Sequence, residues 1–154
     1  MTRNQLIFIA AGGSSALLLG AFAFQYVGGL APCKMCLWQR WPHGAAILIG
    51  LVALLRPGRA LPLFGALAAA TTGAIGVYHT GVERDWWEGP TTCTSGPIGN
   101  LSADELLDQI MAAPLVRCDE VPWDMLGLSM ASWNAVISFA LALIWIAAML
   151  KSRA

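Results

Sequence analysis

Four stretches of this chain are long, apolar and nearly free of charge, and their repetition restricts the fold more than any other feature. They cover residues 6–27, 37–55, 61–78 and 126–150. An apolar helix of roughly 20 residues crosses the ~30 Å hydrocarbon core of a bilayer. The second stretch is the least clean, because Arg40 and His43 stand near its start and its uninterrupted apolar part covers only 44–55. A buried re-entrant segment is the alternative there. Composition agrees with a membrane protein: 57% of the 154 residues are hydrophobic and 12% are charged, against about 25% charged in a soluble domain. A soluble fold this short cannot hide so much apolar surface. Disorder is excluded by the same figures. One integral membrane domain over 1–154 is expected.

Charge placement orients the spans. Lys and Arg gather on the cytoplasmic side of short loops. Arg3 precedes the first span, Arg56 and Arg59 fill the link between the second and third, and Lys151 and Arg153 follow the fourth. These places share one side only if there are four spans. All nine acidic residues fall between Glu83 and Asp124, so the connections 28–36 and 79–125 face the opposite, outer side. Both termini are then cytoplasmic. Arg3, the apolar run and Ala21-Phe22-Ala23 resemble a secretory signal, but the run is longer than such a signal needs, and the segment is expected to be retained. No basic stripe suggests nucleic acid.

Spans one and three are rich in Gly, Ala and Ser, which lets helices approach closely where lipid removes the hydrophobic drive between them. Within the long outer connection, Gly89-Pro90 and residues 95–100 read as turns. Ser102 stands three places before Glu105, the spacing of a capping box, and Leu106, Leu107, Ile110 and Met111 follow at helical spacing. A short helix over 102–113, ending near Pro114, is expected in the membrane interface.

The four cysteines all lie toward the outer side. Cys33 and Cys36 form a C-x-x-C leading into span two, and Cys93 and Cys118 flank the interfacial helix. Two pairs in an oxidising compartment suggest two disulfides, and sequence leaves the pairing open. A bond inside C-x-x-C restrains little entropy and makes more sense as a redox couple. With the helix starting at Leu37, Cys36 stands near its N-terminus, where unpaired N–H groups favour a thiolate. Arg40 lies one turn further on and is a candidate to stabilise that thiolate or polarise a ligand carbonyl; snorkelling to headgroups is the plainer role. His79, at the outer end of span three, is a candidate proton relay or ligand contact. His43 reads as a hydrogen-bonded bundle residue. A four-cysteine zinc site lacks a second C-x-x-C, and no metal is expected.

Two cysteine pairs near one surface can pass two electrons between them by thiol–disulfide exchange. They then need an acceptor. With no flavin or nicotinamide fingerprint and no haem attachment motif, a membrane quinone is the economical candidate.

The four-span plan, Cys33-Lys34-Met35-Cys36 leading into Leu37-Trp38-Gln39-Arg40, the split loop pair, and the stretch from Cys118 through Trp123-Asp124-Met125-Leu126-Gly127-Leu128 to Trp133 together resemble the disulfide bond formation protein B (DsbB) family of bacterial membrane enzymes. The resemblance covers essentially the whole chain. It implies an all-α fold: a four-transmembrane-helix bundle in the inner membrane, with a short interfacial helix in the second periplasmic loop. It implies a quinone-dependent protein-disulfide oxidoreductase that reoxidises a DsbA-like thioredoxin-fold oxidase. Cys93 then resembles the cysteine that meets the soluble partner, and Cys118 its exchanging neighbour, able to pair transiently with Cys33. Cys33 and Cys36 resemble the quinone-side couple, with Cys36 against the ring. Arg40 and, less directly, His79 fall at the binding site for ubiquinone or menaquinone. A disulfide-stapled scaffold without activity and an enzyme like vitamin-K epoxide reductase are the alternatives; the latter's active C-x-x-C is expected in a late helix.

Overall fold

The computed structural model describes residues 1–90, 102–112 and 116–152. Four long helices pack as a bundle: α1 (Arg3–Tyr26), α2 (Lys34–Leu55), α3 (Ala60–Glu83) and α5 (Met130–Leu150). A short helix, α4 (Ala103–Ala112), and a two-residue hairpin of β1 (Asp124–Met125) and β2 (Leu128–Ser129) lie in the last connection. Helices α1, α3 and α5 are long and apolar enough to cross a membrane. Helix α2 matches them in length, at 22 residues, and differs by carrying Lys34, Arg40 and His43 in its first turns.

Side-chain caps set the starts of α1, α2, α4 and α5, while α3 begins without one. Thr2 and Gln5 close a capping box at α1 (Thr2 N to Gln5 Oε1, 2.8 Å; Gln5 N to Thr2 Oγ1, 3.3 Å). Ser129 caps α5 by accepting from Ser132 N. At α2 the cap is a sulfur: Cys36 N donates to Cys33 Sγ at 3.1 Å. The helix therefore begins at Lys34, three residues before the start read from hydropathy, and Cys36 lies inside its first turn. Helix α3 runs five residues beyond Tyr78, because Gly81 and Val82 are buried against neighbours even though the chain turns polar there. That extension puts His79 and Glu83 one turn apart. Helix α5 begins at Met130, after a tight turn at Leu126 and Gly127 (φ 55° and 74°). Positive φ at both central positions is the hairpin turn compatible with strand twist, and Gly127 supplies it without strain. The expected capping box at α4 forms, with Ser102 N donating to Glu105 Oε2 at 2.8 Å and Glu105 N to Ser102 Oγ at 3.4 Å. The turns read at 95–100, and Ala113 and Pro114, lie outside the described residues.

Packing follows the small residues. Helix α3 lies chiefly against α5 and α2. A Cβ on Gly65 would sit 2.6 Å from the Trp145 indole, and one on Gly76 2.9 Å from Ala131 O, so backbone and side chain meet where only glycine fits. The inner half of the bundle holds Ile7, Ala10, Ala53, Ala69, Trp145 and Ala148, all fully buried. Large apolar side chains such as Phe8, Leu19, Leu48 and Leu143 point outward, as suits a lipid solvent. At one end Arg3 donates to Arg56 O and Ser152 Oγ, Arg59 to Ser152 O, and Lys151 to Met1 O. Of the basic residues read as the inner set, Arg3, Arg56, Arg59 and Lys151 thus share one end of the bundle, and Arg153 lies outside the described residues. The cysteines described below occupy the other end.

Candidate active site

The α2 cap brings two sulfurs together. Cys33 Sγ and Cys36 Sγ are 2.7 Å apart, with Cys33 buried and Cys36 half-buried. Cys118, fully buried, packs in one cluster with Cys33, Met35 and Val82, against which Cys36 and Val116 rest. Three of the four cysteines therefore meet. Cys93 lies outside the described residues. The Cys33 thiol is pushed up by its hydrogen bond to the Cys36 sulfur and by burial, so it holds its proton at neutral pH.

His79 reaches this cluster from α3. Its Nε2 is 3.1 Å from Cys118 O, 3.6 Å from Cys33 Sγ and 3.8 Å from Glu83 Oε1. Its Nδ1 is 2.9 Å from Gln39 Nε2. The surrounding amides decide which ring nitrogen carries the hydrogen. Thr72 O and Met35 O are carbonyls and can only accept. Asn134 Nδ2 donates to Thr72 O (3.3 Å) and to Gln39 Oε1 (2.7 Å). Gln39 Nε2 therefore faces Met35 O (3.3 Å) and His79 Nδ1 as a donor. Nδ1 must accept, so the hydrogen sits on Nε2 and points at Cys118 O. The chain continues to His43, whose Nε2 donates to Asn134 Oδ1 at 2.8 Å, while Thr72 Oγ1 donates to Gln39 O at 2.9 Å. Cys33, Cys36 and His79 offer ligand atoms within 4.8 Å of one another, but the nearer ring nitrogen carries a hydrogen and offers no lone pair to an ion.

An apolar cavity of about 450 Å³ opens beside the sulfurs. Leu17, Phe24, Met130, Trp133 and Ile137 form much of its wall, and Cys33, Cys36, His79, Arg40 and Glu83 line it too. Arg40 is turned toward α1: Nη1 donates to Gln25 Oε1 at 2.6 Å, Nη2 to Ala21 O at 3.4 Å, and its Cζ lies 5.0 Å from the Phe22 ring centroid. Residues 116–125 form a further wall, tied by the tilted Phe24–Trp123 ring pair and by Trp133 Nε1 donating to Met125 O at 3.1 Å. In that wall the Arg117 guanidinium is paired with Asp119 and holds its carboxyl below the usual range.

Residues 3–148 match the family model for disulfide bond formation protein DsbB. This chain belongs to the DsbB family. It is 36% identical over 146 residues to "Disulfide bond formation protein B" of Pasteurella multocida, covering 86% of this chain and 81% of that one. It is 31% identical to the Shewanella sp. (strain MR-4) protein of the same name, over 83% and 76% of the two chains. With the Marinobacter nauticus protein the figures are 30%, 95% and 89%. No solved structure matches it. Membership and the converging cysteines make this DsbB-family chain a multi-pass membrane protein and a cysteine-based oxidoreductase.

Of the residues singled out from the sequence, Cys33, Cys36, Arg40 and His79 line one cavity, and Cys118 packs in the buried cluster with Cys33. Sequence reading gave no role to Gln39, Thr72, Asn134 or Glu83. A signal existed for two of them. Asn134 is a lone amide in an otherwise apolar span, where side-chain amides bond between helices. Gln39 precedes His43 by four residues and so shares its helix face. Thr72 and Glu83 gave none, since threonine is common in spans and the helix was expected to end before Glu83.

Proposed function

We propose that this protein is a quinone-coupled thiol oxidase of the bacterial inner membrane that reoxidises a periplasmic DsbA-like protein. The observation that carries the reading is the meeting of Cys33, Cys36 and Cys118 in one buried cluster at the wall of an apolar cavity. Electrons enter when the reduced partner's thiolate attacks the Cys93–Cys118 pair and leaves it as two thiols. Cys118, packed with Cys33, then attacks the Cys33–Cys36 disulfide, and the outer pair is restored as the inner one is reduced. Cys36, capped against Cys33 and lining the cavity, is the sulfur that faces the acceptor.

The cavity fits a quinone by size and by chemistry. Ligand pockets run from about 300 to 1,000 Å³ and are mostly apolar with a few polar groups. A quinone ring offers two carbonyl acceptors, and the cavity-lining group with N–H donors to spare is the Arg40 guanidinium. When bound it supplies a sink for two electrons and two protons. His79 lines the cavity and, by donating from Nε2 to Cys118 O, ties the Cys118 backbone to its rim. Arg40, held at Gln25 and Phe22, sets positive charge beside the apolar wall, and the wall excludes water. Ubiquinone and menaquinone both satisfy these contacts. The basic end of the bundle is then cytoplasmic and the cysteine end periplasmic, by the charge bias of the loops.

The test is anaerobic mixing of the purified protein with quinone and a reduced DsbA-like oxidase, following quinone absorbance. Cys36→Ala should abolish quinone reduction while leaving the Cys93–Cys118 pair able to exchange. Cys93→Ala should abolish exchange with the partner. Full turnover by either variant, or turnover without quinone, would overturn the proposal. A disulfide-stapled scaffold would show no quinone reduction in the wild type.

A further inference from the structure

Glu83 is the one cavity-lining carboxyl described on the bundle helices, and nothing in the exchange chemistry above uses it. Its side chain is 4% exposed. Oε2 accepts from Ser129 Oγ, the cap of α5, and Oε1 stands 3.8 Å from His79 Nε2. The charged groups around it make their direct contacts elsewhere, although Arg84 also acts on it through space. On its own helix Arg84 donates to Gly127 O at 3.2 Å and lies over the Trp86 ring. Arg40 of α2 is held at Gln25. In residues 116–120, Arg117 is paired with Asp119 and Glu120. Helix α5 presents the hydroxyls of Ser129 and Ser132, and α2 presents Cys33 and Cys36. Among the described residues no Lys or Arg pairs with Glu83. Burying a carboxylate without a cation is costly, and the cost falls when the group takes a proton. Such a group inside a membrane protein is a candidate for proton handling.

The site needs a base. For Cys33 to close a disulfide onto Cys36, its Sγ–H bond must break. His79 is the nearest ring, and it cannot accept: its Nε2 already carries hydrogen, and Nδ1 receives Gln39 Nε2–H. Cys33 Sγ and Glu83 Oε1 flank that same Nε2, at 3.6 and 3.8 Å. Both groups thus stand at one ring nitrogen, an arrangement in which one water or a rotated glutamate side chain would carry the proton across. We propose that Glu83 is the base that takes the Cys33 proton, with His79 a fixed donor between them and not a relay. This rests on the quinone-oxidase reading for the identity of the acceptor. The balance is as follows. The Cys33 S–H bond breaks and an O–H bond forms on Glu83. The Cys33 thiolate bonds to the Cys36 sulfur, and two electrons leave to the quinone. The proton held by Glu83 and the proton earlier lost by Cys36 go with them. The products are a disulfide and a quinol, and Glu83 returns to carboxylate.

The experiment uses the full chain in lipid nanodiscs, reduced and freed of quinone. Diamide is added, and closure of the Cys33–Cys36 bond is read by quenched alkylation and mass spectrometry, which separates it from Cys93 and Cys118. Wild type should give a rate nearly flat between about pH 6 and about pH 8. Glu83→Gln, which keeps the partner for Ser129, should be about 10²-fold slower at the acid end and should recover as pH rises and the thiol ionises by itself. Glu83→Asp should restore the flat profile with a loss of a few-fold. A Glu83→Gln protein with the wild-type rate and profile overturns the proposal. If Glu83→Gln fails to fold, Ser129→Ala, which strips the hydrogen bond from the carboxylate and makes it easier to protonate, should make the rate fall toward the acid end of that range, and a profile as flat as the wild type's overturns the proposal equally. A parallel arm with a short-chain ubiquinone separates the two readings. Closure that depends on Glu83 with diamide but never occurs with ubiquinone rejects the quinone and keeps the base.

Discussion

Asn134→Leu is the substitution that most directly tests whether the buried amides order the site. Asn134 sits on α5 and bonds to two other helices. Its Nδ2 donates to Gln39 Oε1, Thr72 O and Thr72 Oγ1, and its Oδ1 accepts from His43 Nε2. Interhelical hydrogen bonds in membrane proteins average about 0.6 kcal/mol each, so losing these four contacts amounts to about 2 kcal/mol. That is well below the figure for buried bonds in vacuum, because the unfolded chain in a micelle finds other partners. Leucine fills a similar volume, so no large cavity adds to the loss. The second effect is local. Without Asn134, Gln39 Oε1 has no donor, and the amide is free to turn over. Its oxygen then faces His79 Nδ1, which can carry the hydrogen. Reversible unfolding in mixed detergent micelles should show a loss of about 1–3 kcal/mol, and ¹⁵N NMR of labelled His79 should change from one tautomer with hydrogen on Nε2 to a mixture. Unchanged stability together with a single unchanged tautomer would refute the reasoning, since the amide chain would then be ordering nothing.

Gly65→Ala should cost about 1–3 kcal/mol by overpacking, because the new Cβ falls 2.6 Å from the rigid Trp145 ring; the same micelle titration reads it, and Trp145→Leu in the same chain should recover part of the loss. Arg40→Leu should raise the KM for quinone roughly 10-fold or more while leaving Cys93–Cys118 exchange with the partner intact, and an unchanged KM would leave Arg40 a headgroup anchor only. In the reduced protein Cys33 should resist iodoacetamide until strongly alkaline pH, because its hydrogen bond to Cys36 and its burial favour the protonated form. A thiol raised in this way contributes stability that is complete below its unfolded pKa of about 8.5 and is lost as pH rises beyond that value, so the reduced form should lose stability above about pH 9 while the oxidised form does not. Unfolding of the two forms side by side across that range checks the sign.

Hydropathy and charge bias were enough to read the bundle, because both record solvent. Apolar runs mark lipid contact, and basic ends mark one face. Neither records caps or helix–helix contact, and the misjudged boundaries sit where those decide. Lys34 and Met35 read as loop, yet the Cys33 sulfur caps Cys36 N–H and pulls them into α2. His79 to Glu83 read as loop because the chain turns polar there, yet Gly81 packs so close to Trp87 that a Cβ would meet the ring, and α3 continues. The cysteines were legible because their chemistry is rare and their spacing short. The amides were not, because Gln39, Thr72 and Asn134 come from three helices and become a network only once those helices are packed.

The two ends of the bundle are built for different demands. Away from the sulfurs, glycine and alanine pack against Trp145, and nothing there needs to move. At the sulfur end α2, α3 and α5 are pinned by directional bonds that contribute little energy but fix which atom donates to which. Cys33 and Cys36 are locked into the first turn of a helix by its cap. Cys118 is carried by residues 116–125, and that segment is fastened by a few separate contacts: the backbone bond from His79, the Trp133 indole on Met125 O, and the Phe24–Trp123 ring pair. The His79 bond goes to the Cys118 carbonyl, and so ties the amide chain of α2, α3 and α5 to the backbone that carries this cysteine.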